Sequence, residues 1–378
     1  MKGERTMAFD NIQPDAIDLF CGAGGLSLGL ENAGIHVCVG VEVNKIAAQT
    51  YRNNLNGAVL EEDIREITDD QMKEALGKEE GELFLLAGCP PCQTFSSLQK
   101  TADENDERNS LIFEYIRFVN ALKPLFIQLE NVPGLKTGKG KNVFALAESE
   151  LKKDYELVSD VLNCADYGIP QHRRRLVLHG IRKDVYRVLL ARNPEFKVKL
   201  PAATHTSNVT ANPELLPWVA SAAAFANLPS VKAGEPAPTG FPNHETLGLS
   251  EINIDRIRYI RANGGSRTCL PENLQLKCHK KGVTGFTDVY GIIDPSLPAP
   301  TMTGGCIVYS KGRYGHPYQD RAITVREAAR IQSFPDTYVF SGKRGQAALQ
   351  VGNAVPPALA EASGRYFLDL LNQLHNIQ

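Results

Sequence analysis

Short apolar runs alternate with stretches of helical period through the first half of the chain. Residues 16–20, 37–41, 83–87, 125–129 and 176–181 are apolar runs of strand length. Residues 26–33, 44–51, 69–76, 109–122 and 141–151 instead repeat apolar positions every three to four residues, the mark of a helix with one buried face. Strands spaced by such helices predict βαβ units and a Rossmann-like, mostly parallel α/β sheet. Ligands of such sheets sit beyond the carboxyl ends of the strands, so chemistry is to be sought in the loops that follow them. The pattern weakens after about residue 190, where residues 194–250 are rich in Pro, Asn, Thr and Ser. Strand and helix signals return at 324–331 and 357–374, the last helix with Leu359, Ala362, Tyr366, Leu370 and Leu374 on one core-facing stripe. The expected division is a domain of residues 1–190, completed by 321–378, and a smaller irregular domain of 191–320.

Composition narrows the classes. A chain of 378 residues, 43% hydrophobic and 22% charged, has room for two or three domains and a large core without staples. No apolar run approaches the ~18 residues of a membrane span. Residues 1–13 lack an apolar segment, so no signal peptide is expected, and eight Cys make no disulfide framework. A reducing cytoplasm follows as the expected location. The net charge of −2 excludes a uniformly basic nucleic-acid coat. Charge is uneven, however. Residues 61–82 carry ten acids and three bases, residues 171–200 nine bases and two acids, and residues 256–281 seven bases and one acid. A charge run is commonly a solvated face, but two basic stretches flanking an irregular domain also fit a polyanion cleft.

Candidate chemistry gathers in the post-strand loops. Asp18-Leu19-Phe20-Cys21-Gly22-Ala23-Gly24-Gly25 follows the first strand and opens a helix, with glycines that let the backbone approach a ligand. Glu42 ends the second strand, where a carboxylate can accept both ribose hydroxyls, and Asp63 is placed to take an adenine amino group. The pattern favours an adenosine-containing cofactor over a plain tight turn, without separating NAD from S-adenosylmethionine. Gly88-Cys89-Pro90-Pro91-Cys92-Gln93 follows the fourth strand. A zinc site wants a second ligand pair, and Cys269 and Cys278-His279 are badly spaced for one. A thioredoxin-like pair should lead into a helix, whereas a polar loop of residues 96–107 follows here. A buried structural thiol is the plainer alternative. The stiff Pro-Pro pair just before Cys92 favours a single activated thiolate at the loop mouth. Glu130-Asn131-Val132 follows the fifth strand, where a carboxyl is either a general acid or a salt-bridged strand end. Arg173 and Arg175, before the last strand, share one face, with Arg174 pointing away.

Six of these segments, in order, resemble the C5-specific DNA cytosine methyltransferases across nearly the whole chain. They are residues 20–25, Pro91-Cys92-Gln93 with Phe95-Ser96, residues 130–132, Gln171 with Arg173 and Arg175, residues 321–335, and Gly352-Asn353-Ala354-Val355-Pro356. Ala354 stands where many members have Ser, and Ile292 where bacterial members often carry Arg. The resemblance implies S-adenosylmethionine as cofactor, no metal, and duplex DNA as partner. It implies a cofactor site of Phe20, Gly22, Ala23, Gly24, Gly25, Leu26, Glu42, Val43, Asp63, Ile64, Pro91, Asn353 and Ala354. It assigns Cys92 as the nucleophile at cytosine C6, Glu130 to the N3 edge, Arg175 to O2 and Arg173 to a supporting place. The region between the Arg-rich and late motifs becomes a target-recognition domain. Within it residues 263–267, Asn-Gly-Gly-Ser-Arg, read as a groove-entering loop or a surface turn, while Ser96 is a candidate phosphate contact. The implied setting is a monomer in restriction–modification or defence, with a cognate restriction or defence-system protein as a further partner. A tRNA cytosine methyltransferase, a non-catalytic cofactor-sensing DNA-binding protein and an oxidoreductase are the alternatives. The ~130 residues before the late motif and the intact Cys92, Glu130 and Arg175 weigh against them.

Overall fold

The computed structural model describes residue 9 and residues 12–91, 111–276 and 288–375. In chain order the elements are β1 (Asp15–Leu19), α1 (Gly25–Ala33), β2 (His36–Val41), α2 (Lys45–Asn54), β3 (Ala58–Leu60), α3 (Asp69–Leu76), β4 (Leu85–Gly88), α4 (Leu111–Leu122), β5 (Phe126–Asn131), α5 (Gly134–Thr137), α6 (Lys141–Leu151), β6 (Tyr155–Asn163), β7 (Arg174–Arg182), α7 (Lys183–Arg192), β8 (His205–Thr206), β9 (Leu216–Pro217), α8 (Ala222–Phe225), α9 (Glu251–Ala262), α10 (Val325–Ile331), α11 (Arg344–Asn353) and α12 (Pro357–His375).

Local chemistry fixes the ends of several helices. Thr68 and Gln71 form a reciprocal capping box on α3, which stops at Gly77 in the left-handed conformation. Asn44 caps α2 by accepting from the backbone of Ile46 and Ala47, and left-handed Gly34 ends α1.

Two compact units emerge: Met1–Asn163, Arg174–Ala203 and Val355–Gln378 form one, Cys164–Arg173 and Thr204–Ala354 the other. Compactness thus divides the chain differently from composition. Residues 321–354 belong to the second unit, because their side chains are spent there. Arg321 forks onto Glu327, Arg326 binds the carbonyls of Pro242, Pro335 and Tyr338, and Gln332 binds Gln171 and the Val351 carbonyl.

The first unit holds a seven-stranded sheet in the order β3-β2-β1-β4-β5-β7-β6. β1 pairs in parallel with β2 and β4, β2 with β3 and β4 with β5, whereas β7 runs antiparallel to both β5 and β6. Strand alternation sends successive side chains to opposite faces. Ile17, Leu19, Leu86 and Ile127 pack with α3, α4 and α6, while Ala16, Leu85, Ala87 and Phe126 pack with α1, α7 and α12. The buried face of α12 is rotated from the expected stripe. Ala360, Ser363, Gly364 and Phe367 are buried with Leu359, Leu370 and Leu374, whereas Ala362 and Tyr366 are half-buried. The cause is a close crossing with α1: a Cβ on Gly29 would meet Pro357 O at 2.2 Å, and one on Gly364 would meet Ala33 Cβ at 2.8 Å.

The second unit is irregular, with the two-residue β8–β9 pair and a small core of Ile257, Ile260, Leu270, Ile292, Tyr309 and Ala322. Ile292 is therefore an apolar core residue. Glu327 lies among buried groups; burial opposes its ionisation, but hydrogen bonds from Arg321 and His316 hold its carboxyl well below the usual range. Among the described residues no helix is long and apolar enough to cross a membrane, and no cluster of His, Cys, Asp and Glu is arranged to hold a metal.

Candidate active site

The sheet order reverses between β1 and β4, which opens a crevice beyond their carboxyl ends. The loops after β1, β2, β4 and β5 all leave the sheet at this edge. Cys21 N donates to Val41 O at 3.0 Å, and Cys89 N to Leu19 O at 3.1 Å.

The loop after β1 winds through left-handed Phe20, Gly22 and Gly24, and Gly24 sits at the N-cap of α1. A Cβ at Gly22 would meet nothing within 4 Å, so this turn faces open space. Glu42 latches the loop, accepting from Gly22 N at 3.0 Å and from Asn44 N at 2.7 Å. Burial pushes its carboxyl up, and these backbone donors oppose the rise. Val43 beside it is 63% exposed, an apolar surface at the mouth of the loop. Below, Ser27 Oγ donates to Asp18 Oδ2 at 2.7 Å, while Asp18 Oδ1 accepts no hydrogen bond among the described residues. Burial raises the Asp18 carboxyl to about 7, with the Ser27 bonds opposing. An open left-handed glycine turn, a helix N-terminus, a strand-end carboxylate and an exposed apolar side chain fit an adenosyl group.

The other expected cofactor residues have the following places in the protein. Asp63 is gripped by Arg65 at 2.6 and 3.0 Å, which holds its carboxyl below its ordinary range, so an adenine amino group would compete with that fork. Ile64 and Leu26 are buried in the two cores, and the Ile64 carbonyl is taken by Arg117. Ala23 is buried and Gly25 is the first residue of α1. In the second unit Asn353 is exposed at the end of α11, and the Ala354 carbonyl accepts from Arg173.

Cys92, Ser96 and residues 96–107 lie outside the described residues, as do Cys278 and His279. What surrounds Cys92's loop is defined. Half-buried Pro91 follows Pro90, whose carbonyl accepts from Asn131 Nδ2 at 2.8 Å and so ties the β4 loop to the end of β5. Glu130 is 2% exposed. Because β7 is antiparallel, with Glu130 opposite Val177, its first residues lie at this same edge. Arg175 Nε approaches Glu130 Oε1 at 3.1 Å as an ion pair, though no N–H is aligned to hydrogen-bond it, and Oε1 accepts no hydrogen bond among the described residues. Cys89 Sγ donates to the other oxygen, Oε2, at 2.9 Å.

Arg173 departs from the expected pairing with Arg175. It is 1% exposed, belongs to the second unit, and donates to the carbonyls of Met302, Gly352 and Ala354. These bonds tie residues 352 and 354 to residue 302, and the face-sharing of a regular strand fails because β7 begins only at Arg174. Gln171 works alike, accepting from Met302 N and donating to Gln332.

Among the described residues, several cations of the basic stretches are held by the protein itself, while Arg187, Lys197 and Lys199 are exposed. Arg182 pairs with Asp184, Lys183 caps the carbonyls of Lys152 and Lys153, and Arg256 is buried on Leu274 O and Asn253. Arg258 and Arg261 share Asp320. Residues 263–267 form the turn after α9, with exposed Asn263 and Gly264 but buried Arg267. Arg174 is the cation left exposed beside Arg175.

Comparison with known proteins shows the family of the chain. The family model for C-5 cytosine-specific DNA methylases matches residues 15–367. The chain belongs to this family. It is 35% identical over 350 residues to the Type II methyltransferase M1.HphI of Haemophilus parahaemolyticus, covering 92% of this chain and 84% of that protein. It is 33% identical over 369 residues to the Type II methylase M.HgiDII of Herpetosiphon aurantiacus, covering 96% and 97%. A solved E. coli structure, described as a DNA modification methyltransferase encoded within a prophage, superposes with a TM-score of 0.71 at 24% identity, covering 95% and 99% of the two chains, and shares the fold. The protein is thus a DNA cytosine-5 methyltransferase, and its family implies S-adenosylmethionine as cofactor.

Three residues stood in the motifs without a role of their own: Asp18, Asn131 and Cys89. An acid inside the apolar run of residues 16–20 was the available signal for the first. Nothing local announces the other two, whose partners lie 41 residues away.

Proposed function

We propose that the chain methylates C5 of cytosine within a specific duplex DNA sequence, acting as a monomer through a covalent Cys92–C6 adduct. Cytosine C5 is a weak nucleophile, and thiolate addition at C6 makes it enamine-like. The Cys92 sulfur forms a bond to C6 and the ring's electron pair moves to C5. Glu130, protonated on Oε1 once Arg175 leaves it, shares that proton with N3 as charge builds in the ring and recovers it when the thiolate is expelled. Arg175 exchanges Glu130 for the base O2. S-adenosylmethionine supplies the methyl group to C5. Loss of the C5 proton to a base then returns the electron pair and expels the thiolate. The target atom lies inside the duplex, so the base is rotated out at a cost of a few kcal/mol.

The observation that carries this reading is Glu130: a buried carboxyl with one oxygen held by Cys89 and the other ion-paired but open to a hydrogen bond. The Phe20–Gly24 turn and Glu42 bind the adenosyl moiety, and Val43 packs on its base. The Type II names of the relatives support a role in restriction–modification or a related defence system, with a cognate nuclease as companion.

DNA carrying 5-fluorocytosine at the target tests the scheme. Fluorine cannot leave C5 as a cation, so the adduct persists once the methyl group is transferred. A denaturation-resistant protein–DNA band, dependent on S-adenosylmethionine and mapped to Cys92, is expected. Ordinary turnover on the fluorinated site, or an adduct elsewhere, would sink the proposal. Methyl transfer to tRNA and not to duplex DNA would favour the tRNA reading.

A further inference from the structure

Two cysteines stand three residues apart in the loop after β4, and the reaction proposed above uses only the second. The first has a definite place. Cys89 leaves β4 with its N–H on Leu19 O, and its side chain turns across to β5, where Sγ lies 2.9 Å from Glu130 Oε2. A thiol facing a carboxylate is the donor of that bond, because the carboxylate has only lone pairs. Glu130 Oε1, in contrast, has the Arg175 guanidinium at 3.1 Å and accepts no hydrogen bond among the described residues. The two oxygens of this carboxyl are therefore inequivalent. One is hydrogen-bonded to the protein from below, and the other is compensated in charge but open.

We infer that Cys89 is a positioning residue for the reaction: its thiol hydrogen pins Glu130 Oε2 and thereby presents Oε1 to the cytosine. The inference rests on Glu130 meeting the base. When Arg175 turns to the base O2, Oε1 loses its ion pair, and the Cys89 bond is what keeps the carboxyl from rotating about its last side-chain torsion. A carboxyl free to rotate spends part of its time with neither oxygen in line with N3, and catalysis depends on reacting groups being held in place. The same surroundings keep Cys89 from acting as a nucleophile. Burial foremost, then the Glu130 charge, push its thiol well above the ordinary cysteine range, so it stays an S–H donor. The surroundings of Cys89 thus suit it to hold Glu130 and not to attack the base.

Single-turnover methylation of duplex DNA by the full chain tests this, with Cys89→Ala, Cys89→Val, Cys89→Ser and Glu130→Gln alongside wild type. A lost hydrogen bond to a charged group is worth about tenfold or more in rate. Cys89→Ala and Cys89→Val should each lower kcat by about that factor, with KM for DNA and for S-adenosylmethionine unchanged. Cys89→Ser, which keeps a donor, should recover most of it. Ala and Val leave a cavity and a near-isostere respectively, so at least one donor-free variant should match wild type in its urea midpoint and give a clean rate. In a Glu130→Gln background, Cys89→Ala should cost nothing further. A donor-free variant with wild-type kcat, or a Ser variant as slow as Ala, overturns the role of Cys89 while Glu130→Gln remains impaired. Full activity in Glu130→Gln overturns the assignment of Glu130 itself, a separate failure.

Discussion

Glycine-to-alanine substitutions in two helices should have opposite signs, and the structure sets the size of each. In α1, a Cβ on Gly29 would lie 2.2 Å from Pro357 O, 2.5 Å from Ala360 Cβ and 2.8 Å from Glu361 N. Two of these three are backbone atoms of α12, which cannot swing away as a side-chain tip can. The helices must part by about 1 Å to restore van der Waals distance. Overpacking of this kind costs about 1–3 kcal/mol. Three contacts under 3.0 Å place Gly29→Ala at the upper end, offset by about 1 kcal/mol of helix propensity gained when Ala replaces Gly. A net loss of about 2 kcal/mol follows. Gly345, exposed in the first turn of α11, has nothing within 4 Å of its would-be Cβ. Gly345→Ala should therefore gain up to about 1 kcal/mol. Urea unfolding followed by circular dichroism measures both against wild type. Calorimetry with S-adenosylmethionine should also show weaker binding in Gly29→Ala alone, because the cofactor turn runs directly into α1. If Gly29→Ala is as stable as Gly345→Ala, the close crossing of α1 and α12 is refuted.

Glu42→Ala should weaken S-adenosylmethionine binding by about tenfold or more, since it removes both a ribose acceptor and the latch on Gly22; an unchanged calorimetric affinity would exclude Glu42 from the site. Asp18 is held at about 7 in the fold against 3.8 when unfolded, so the folded state binds more protons between those values. Its contribution to stability is then complete below about pH 4 and lost as pH rises through 7, and Asp18→Asn should flatten that part of the stability–pH curve. Parallel curves for Asp18→Asn and wild type from pH 4 to 8 would contradict this. Arg174→Ala should reduce the salt slope of DNA binding by ~0.9, the value of one phosphate contact, in fluorescence anisotropy at several salt concentrations. Arg256→Ala should lower the unfolding midpoint and leave that slope alone, because its guanidinium is buried on Leu274 O.

Much of the first unit was legible because its strands are buried on both faces and read as continuous apolar runs. Five of the seven strands and five helices fall where the periodicity puts them. β6 does not, because it is a half-exposed edge strand whose Glu156, Ser159, Asp160 and Asn163 break any apolar run. Missing it also hid the reversal of β7. Only ten residues join β6 to β7, too short for a parallel crossover, so the pair must be antiparallel. That reversal is what delivers Arg175 to Glu130. At the site, the backbone-driven features were readable: the glycine turn, and the strand-end acids Glu42 and Glu130. The pairings were not, since Cys89 with Glu130 and Arg173 with Gly352 join residues far apart in sequence. Basic runs carry a related ambiguity. Counting charges cannot distinguish an arginine facing solvent from one, such as Arg173 or Arg256, that is buried on main-chain carbonyls.

The packing of α12 on α1 bears on how the protein is made. The chain passes between the two units four times, and the first unit regains it only at Val355. On the ribosome, β1 and α1 are exposed early, yet the helix that covers Leu26 and Leu30 is synthesised only after residues 204–354 of the second unit. Domains generally fold as units during synthesis, starting from the N-terminal side. Here the N-terminal unit cannot close one face of its sheet while α12 is still in the exit tunnel. A message truncated before α12 would yield a chain with every post-strand loop present and an open apolar face beneath the first of them. The first helix waits for a partner that follows the whole second unit, so one face of the first unit's sheet closes only after that unit has been made.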